Sequence, residues 1–300
     1  MSAAYATGLP AVIRGEEAYL AARRQKRVQA LLGCAVLLAC LLAAAWVSEA
    51  YPATLWAGLP RIGEYFVRIT PDLRWAQLFA GAETEGSIAF WMYRLPEWSL
   101  LILETANMAA VATLMGSAVA LLLAFPAARN ITPSPLVFHL ARRTLEAMRT
   151  VPEIVYALIF VWAFGIGPLA GILAIALHSA GANGKLFAEA IENADLKAWE
   201  GVQSAGGSWV QCCRYAVLPQ VLPNIISYLL LRFEVNIRSA SVIGFVGAGG
   251  VGEELSKVIS FNYYEEISAI VVLIIITVSM VDLLSERLRH AAIGRLEGAR

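Results

Sequence analysis

Six stretches of this chain read as membrane-crossing helices, at roughly 29–47, 100–125, 136–164, 168–189, 219–243 and 265–285. About 20 apolar residues carry a helix across the hydrocarbon layer, and a helix satisfies its own backbone polar groups where no water can. Of the 300 residues 59% are hydrophobic and 15% charged. A soluble domain is nearer half apolar and a quarter charged, so one soluble core could not use this much apolar surface. The expected fold is all-α and polytopic. The first run follows Arg23, Arg24, Lys26 and Arg27. It is longer than the core of a usual signal peptide and no small-residue cleavage site clearly ends it, so it reads as a retained helix. The third run is charged in its first half and apolar in its second, with a kink expected at Pro152.

Orientation follows from lysine and arginine in the flanks. Arg14 and the basic stretch precede the first run. Arg129, Arg142 and Arg143 follow the second, and Arg287, Arg289, Arg295 and Arg300 follow the sixth. An even number of spans puts these regions, both termini and the loop 190–218 on one side, expected to be the cytoplasm. The expected organisation is a tail with the first helix at 1–48, an extracytoplasmic segment at 49–99 and a core at 100–290. Within 49–99, Leu55, Leu59, Ile62, Phe66 and Ile69 recur at helical spacing, with Arg61, Glu64 and Arg68 on other faces. Trp46, Trp56, Trp75, Trp91 and Trp98 cluster in and beside this segment. The pattern predicts an interfacial helix lying on lipid, with an aromatic belt around it.

Other chemistries find little support. Net charge is zero and no basic block suggests nucleic acid. Cys34, Cys40, Cys212 and Cys213 lack zinc-ligand spacing, and the adjacent pair is poorly placed for an ordinary disulfide, so all four read as free thiols. His139, His178 and His290 are scattered, and no catalytic or metal constellation stands out. The spacing Gly247-x-Gly249-x-x-Gly252 formally matches a dinucleotide fingerprint. That motif needs a strand before it and a crossover unit around it. Between two spans, these glycines read as close backbone packing near a bend, with an outer gate formed by Gly247, Gly249, Gly250 and Gly252 as the alternative.

The most informative stretch is 189–219. It reads as a short helix stopped by Gly206-Gly207, a second short helix, and Leu218-Pro219 opening a span. Trp199, Val202 and Trp209 are the anchors of an otherwise polar helix-turn-helix. This stretch resembles the coupling loop of ABC importer permeases, whose pattern is Glu-Ala-Ala, three residues, Gly, nine residues, then Ile, any residue, Leu-Pro. Glu200, Gly206, Leu218 and Pro219 fall at the matching positions, while Gly201, Val202 and Ala216 replace Ala, Ala and Ile. The runs around 185–192, 214–223, 228–240 and 246–252 resemble the phosphonate-uptake branch most, over roughly 100–285.

The resemblance implies a core of five helices plus one N-terminal helix, in a homodimer with its pathway at the two-fold interface. It further implies two ATPase subunits inside, an extracytoplasmic substrate-binding protein outside, and alternating access driven by ATP. The chain has no Gly-x4-Gly-Lys-Ser/Thr sequence, so ATP and Mg would be bound by the partner ATPase and no cofactor by this chain. The fifth run carries Arg232, Glu234, Asn236, Arg238 and Ser239 at membrane depth, where ionisable groups usually face a cavity or a partner. Glu234 and Arg238 are four apart and can pair on one face. These residues read either as a structural ion pair with its neighbours or as the lining of a path for an oxyanion, to which Arg238 would offer a guanidinium fork; Arg149 beside Pro152 raises the same question, with a structural role favoured there. An ion-coupled secondary transporter would favour broken helices in repeated halves, which are not evident. An intramembrane enzyme would need a catalytic constellation.

Overall fold

The structure is a computed structural model that describes the backbone of residues 9–297 and the side chains of 19–289. Residues 1–8 and Arg300, and the side chains of Arg14, His290 and Arg295, lie outside the described residues. The described residues are helical with no strand. Two compact units divide between Val67 and Arg68.

The first unit holds α1 (Leu9–Val47) and most of α2 (Pro52–Ile69). Its stretch Tyr19–Val47 is long and apolar enough to cross a membrane, and its leucines and valines are exposed, as suits a helix bathed in lipid rather than packed in protein. In α2, Leu55, Leu59, Ile62 and Phe66 are likewise exposed, and the helix runs through Pro60.

In the second unit follow α3 (Ile88–Trp91), α4 (Leu95–Ala127), α5 (Pro135–Thr150), α6 (Glu153–Phe164) and α7 (Pro168–Glu192). Then come α8 (Lys197–Ser204), α9 (Trp209–Gln211), α10 (Leu218–Ile243), α11 (Gly250–Ser260) and α12 (Tyr264–Glu297). Among the described residues, four helical stretches are long and apolar enough to span: Tyr19–Val47, Leu95–Ala127, Trp209–Val246 and Tyr264–Arg289. The bent pair α5 and α6 makes a fifth if taken as one span.

The third run is therefore not one kinked helix. Its halves meet at 85°. Pro152 caps α6 and cannot donate to α5, and its ring pushes Val151 into an extended conformation (ψ 125°), so the helix cannot continue through it. The fourth run, α7, has 25 residues, enough for about 37 Å of helix. It falls short on apolarity because protein, not lipid, covers it. It packs on α4 most extensively, and on α5, α6 and α10.

Small residues let these helices approach. A Cβ on Gly116 of α4 would stand 2.5 Å from the Ala176 carbonyl of α7, and one on Gly181 of α7 would stand 2.6 Å from the Leu145 carbonyl of α5. In a bilayer, where lipid tails are as apolar as leucine, such close packing supplies much of the association. An apolar cluster around Ala120, Ala124, Leu145, Phe187, Ile191 and Val217 forms one end of this core. The other end holds Ala109, Ala112, Ile175, Ile237 and Ile243.

Candidate functional site

The loop between α7 and α10 is built on backbone chemistry that local sequence dictates. Helix α8 ends at Ala205. Gly206 follows in the left-handed region, with φ +83°, a conformation that glycine alone adopts without penalty. The Gly206 amide donates to the Gln203 carbonyl at 2.9 Å and the Gly207 amide to the Val202 carbonyl at 3.0 Å. This is the Schellman pattern that closes a helix C-terminus. Ser208 then starts the next helix with a capping box shared with Gln211.

That second helix is not the separate element expected. Trp209–Gln211 passes through a π-helical turn, Cys212–Val217, straight into α10. Pro219 has no amide for a Tyr215 carbonyl and its ring would crowd that carbonyl in a regular α-helix. A wider turn just before it accommodates the proline without breaking the helix. Leu218 and Pro219 thus lie within a continuous helical stretch rather than at its start.

The side chains divide into tethers and an open face. The Trp209 indole donates to the Ile131 carbonyl at 2.8 Å, in the connection between α4 and α5. Trp199 is partly buried against the apolar cluster at that end of the core. Gln220 donates to the Asp195 carbonyl at 3.1 Å and accepts from the Asp195 amide at 3.1 Å. Glu200 is exposed, and among the described residues its carboxylate has no partner. Beside the loop, Glu192 accepts from both Arg142 (3.0 and 3.1 Å) and the Arg129 amide (2.9 Å). The last turn of α7, the α4–α5 connection and α5 are thereby joined.

The expected pathway residues do not form one group. Arg238 donates to Glu234 at 2.7 Å, one turn earlier on α10, so its charge is matched within its own helix, and half of its side chain is exposed. Ser239 is half-buried and Arg149 exposed at the end of α5. Arg232 and Asn236 do reach the protein interior. Asn236, fully buried, donates to Thr113 Oγ1 at 2.8 Å and to Ser179 Oγ at 2.9 Å, joining α10 to α4 and α7. Arg232 donates through Nε to Asn183 Oδ1 at 3.3 Å, and Asn183 donates to Ser117 Oγ at 2.8 Å. Arg232 makes no other hydrogen bond among the described residues, so the rest of its fork remains available.

Sequence reading missed Thr113, Ser117, Ser179 and Asn183, whose signal was polarity inside otherwise apolar runs. It also missed α11. There the glycines are packed. Gly247 (φ +83°), Gly249 (φ +84°) and Gly250 (φ +72°) are all left-handed. The Gly167 amide donates to the Gly247 carbonyl at 2.9 Å and the Val251 amide to Thr105 Oγ1 at 2.8 Å. A Cβ on Gly252 would collide with the Ser241 carbonyl. A 3-10 turn, Gly244–Val246, precedes them where a dinucleotide site would need a strand.

Residues 116–297 match the family described as binding-protein-dependent transport system inner membrane component. The phosphite transport system permease protein PtxC of Stutzerimonas stutzeri is 43% identical over 192 residues, 64% of this chain and 70% of that protein. The phosphate-import permease protein PhnE of Mycolicibacterium smegmatis (strain ATCC 700084 / mc(2)155) is 40% identical over 191 residues, 64% of this chain and 36% of that protein. Among solved structures, a chain of the inward-facing MetNI methionine ABC transporter aligns with a TM-score of 0.57 at 19% identity. It covers 67% of this chain and 97% of that one, a likeness of fold. Fold and loop together define a multi-pass transport permease. The chain belongs to the family of binding-protein-dependent transport system inner membrane components.

Proposed function

We propose that this chain is the permease of an ATP-driven importer that carries phosphorus oxyanions of the phosphite, phosphonate and phosphate kind. The observation that carries the reading is the loop 195–218. It is a capped helix presenting Glu200 outward, held to the rest of the core by Trp209, Trp199 and Gln220. A motor subunit gripping such a handle would move the α4–α5 connection with it.

In this reading the loop and both termini face the cytoplasm. Two ATPase subunits bind ATP and Mg, and this chain binds neither. A second copy of the chain completes the pathway, and an extracytoplasmic binding protein delivers the substrate past residues 49–99. The names of the two relatives support a phosphorus oxyanion. Arg232 is the preferred contact, with Asn236 and Asn183 holding the helices around it. Arg238, already matched by Glu234, Ser239 and Arg149 are secondary. Gly247, Gly249, Gly250 and Gly252 form the bend at the outer gate.

The test is reconstitution in proteoliposomes with the ATPase and binding protein. Substrate-loaded binding protein should stimulate ATP hydrolysis and uptake of phosphite, methylphosphonate or phosphate, and Glu200→Ala should uncouple the two while leaving the chain in the membrane. If ATPase subunits bind equally well after residues 195–215 are deleted, the reading fails. Uptake that persists without ATP and collapses with an ion gradient would favour a secondary transporter.

A further inference from the structure

A cavity of about 480 Å³ opens between α3 and the start of α12. Its walls are the rings of Phe90, Trp91, Tyr93, Tyr263 and Tyr264. Glu265 and Glu266 complete the lining, and no lysine or arginine contributes to it.

The donors on these walls are engaged, apart from the exposed Tyr263 hydroxyl. The Trp91 indole donates to the Glu265 carbonyl at 3.0 Å and to Ser268 Oγ at 3.1 Å. The Tyr93 hydroxyl donates to Glu266 at 2.8 Å, and the Tyr264 hydroxyl to Asn262 at 3.3 Å. Glu266 also meets Arg94 at 3.4 Å, a guanidinium it shares with Glu97 and Glu254. The Glu265 carboxylate is exposed and makes no hydrogen bond or ion pair among the described residues. What remains to a ligand is aromatic faces, the Tyr263 hydroxyl and one carboxylate without an ion pair. Such a lining repels an oxyanion and suits an organic cation, which the negative face of a ring attracts. One ring already does this: the Arg68 guanidinium lies 5.9 Å from the centre of the Tyr264 ring.

Position identifies the source of the cation. The cavity lies where two spans begin, Leu95–Ala127 and Tyr264–Arg289. Helix ends of this kind sit at headgroup level, where aromatic side chains with one apolar and one wet edge collect. We propose that this cavity holds the ammonium of an aminophospholipid headgroup, with the rings around its methylene and ammonium groups and Glu265 opposite its charge.

The test uses the full chain, with its partner subunits, purified into nanodiscs of phosphatidylglycerol with graded phosphatidylethanolamine. Native mass spectrometry reads the lipid retained. Phosphatidylethanolamine should be retained over phosphatidylglycerol on the order of tenfold, the range that desolvated cation–π contacts span. Glu265→Gln should bring the two lipids close to parity, and tetramethylammonium should displace the retained lipid. Tyr263→Leu, at an exposed ring, is the second variant should the first fold poorly, and the same loss is expected. Equal retention of both lipids by the unaltered chain overturns the proposal. So does a preference that survives both substitutions, or binding of tetramethylammonium with no lipid preference.

Discussion

The indole nitrogen of Trp209 and the backbone oxygen of Ile131 stand 2.8 Å apart although 78 residues separate them in sequence. This bond fastens the loop after α7 to the connection between α4 and α5. Trp209→Phe keeps an aromatic side chain, smaller than the indole, and removes the donor, a loss of about 1 kcal/mol for the neutral hydrogen bond in addition to the lost packing. The expected outcome is a permease that still assembles with its ATPase subunits but whose ATP hydrolysis responds less to loaded binding protein. The ratio of stimulated to basal hydrolysis checks it.

Gly206 has open space around the position a Cβ would take, so the cost of Gly206→Ala comes from φ alone, about 1–2 kcal/mol for an L-residue held left-handed. Gly201, inside α8, also has open space. There Gly201→Ala should stabilise the loop by up to about 1 kcal/mol, because alanine loses less freedom on entering a helix. Limited proteolysis of the loop should accelerate in the first variant and slow in the second.

Arg232 and Arg238 lie on the same helix in different electrostatic settings. Arg238 is answered by Glu234 at 2.7 Å, whereas Arg232 has one hydrogen bond, to Asn183. Arg232→Gln should lower oxyanion uptake at least tenfold, the consequence of losing a charge-assisted contact of about 1.5–3 kcal/mol. Arg238→Gln should cost threefold or less. Uptake rates at matched membrane levels of the two variants separate these roles. Equal losses would mean that the pairing on α10 does not govern which arginine serves the anion.

Tyr93 carries a pH prediction. Burial, and then the hydrogen bond to Glu266 and its charge, hold the phenol above the usual tyrosine value of 10.0. A folded value above the unfolded one stabilises fully at pH below the unfolded value and is lost as pH rises through the folded one. Thermal unfolding should therefore be flat in this respect at neutral pH and fall only on the alkaline side. Tyr93→Phe should flatten part of that alkaline fall, and a difference absorbance titration of tyrosinate should lose its latest step.

Much of the loop was legible from residue types. A glycine pair after an amphipathic turn terminates a helix by backbone stereochemistry, and Glu234 four residues before Arg238 places the two on one face. Both outcomes depend on neighbours within a few residues. The π-helical passage from Trp209 to Leu218 was not legible. A proline at 219 is compatible with a new helix start as well as with a widened turn in a continuous one, and only the packing of Cys212, Cys213 and Val217 into the core selects the second.

The amino-acid order alone determined that the chain is helical and enters a membrane, because long apolar runs must satisfy their backbone internally once water is gone. Tertiary structure decided which helix lies at the centre. Helix α7 does not pass as a membrane span by its own apolarity, yet it is the one wrapped by α4, α5, α6 and α10, since Ser179 and Asn183 find partners there that lipid cannot supply. The hydrogen bonds from Arg232 to Asn183 and from Trp209 to Ile131 arise in the same way. Each depends on residues dozens of positions apart meeting in space, which no local pattern records.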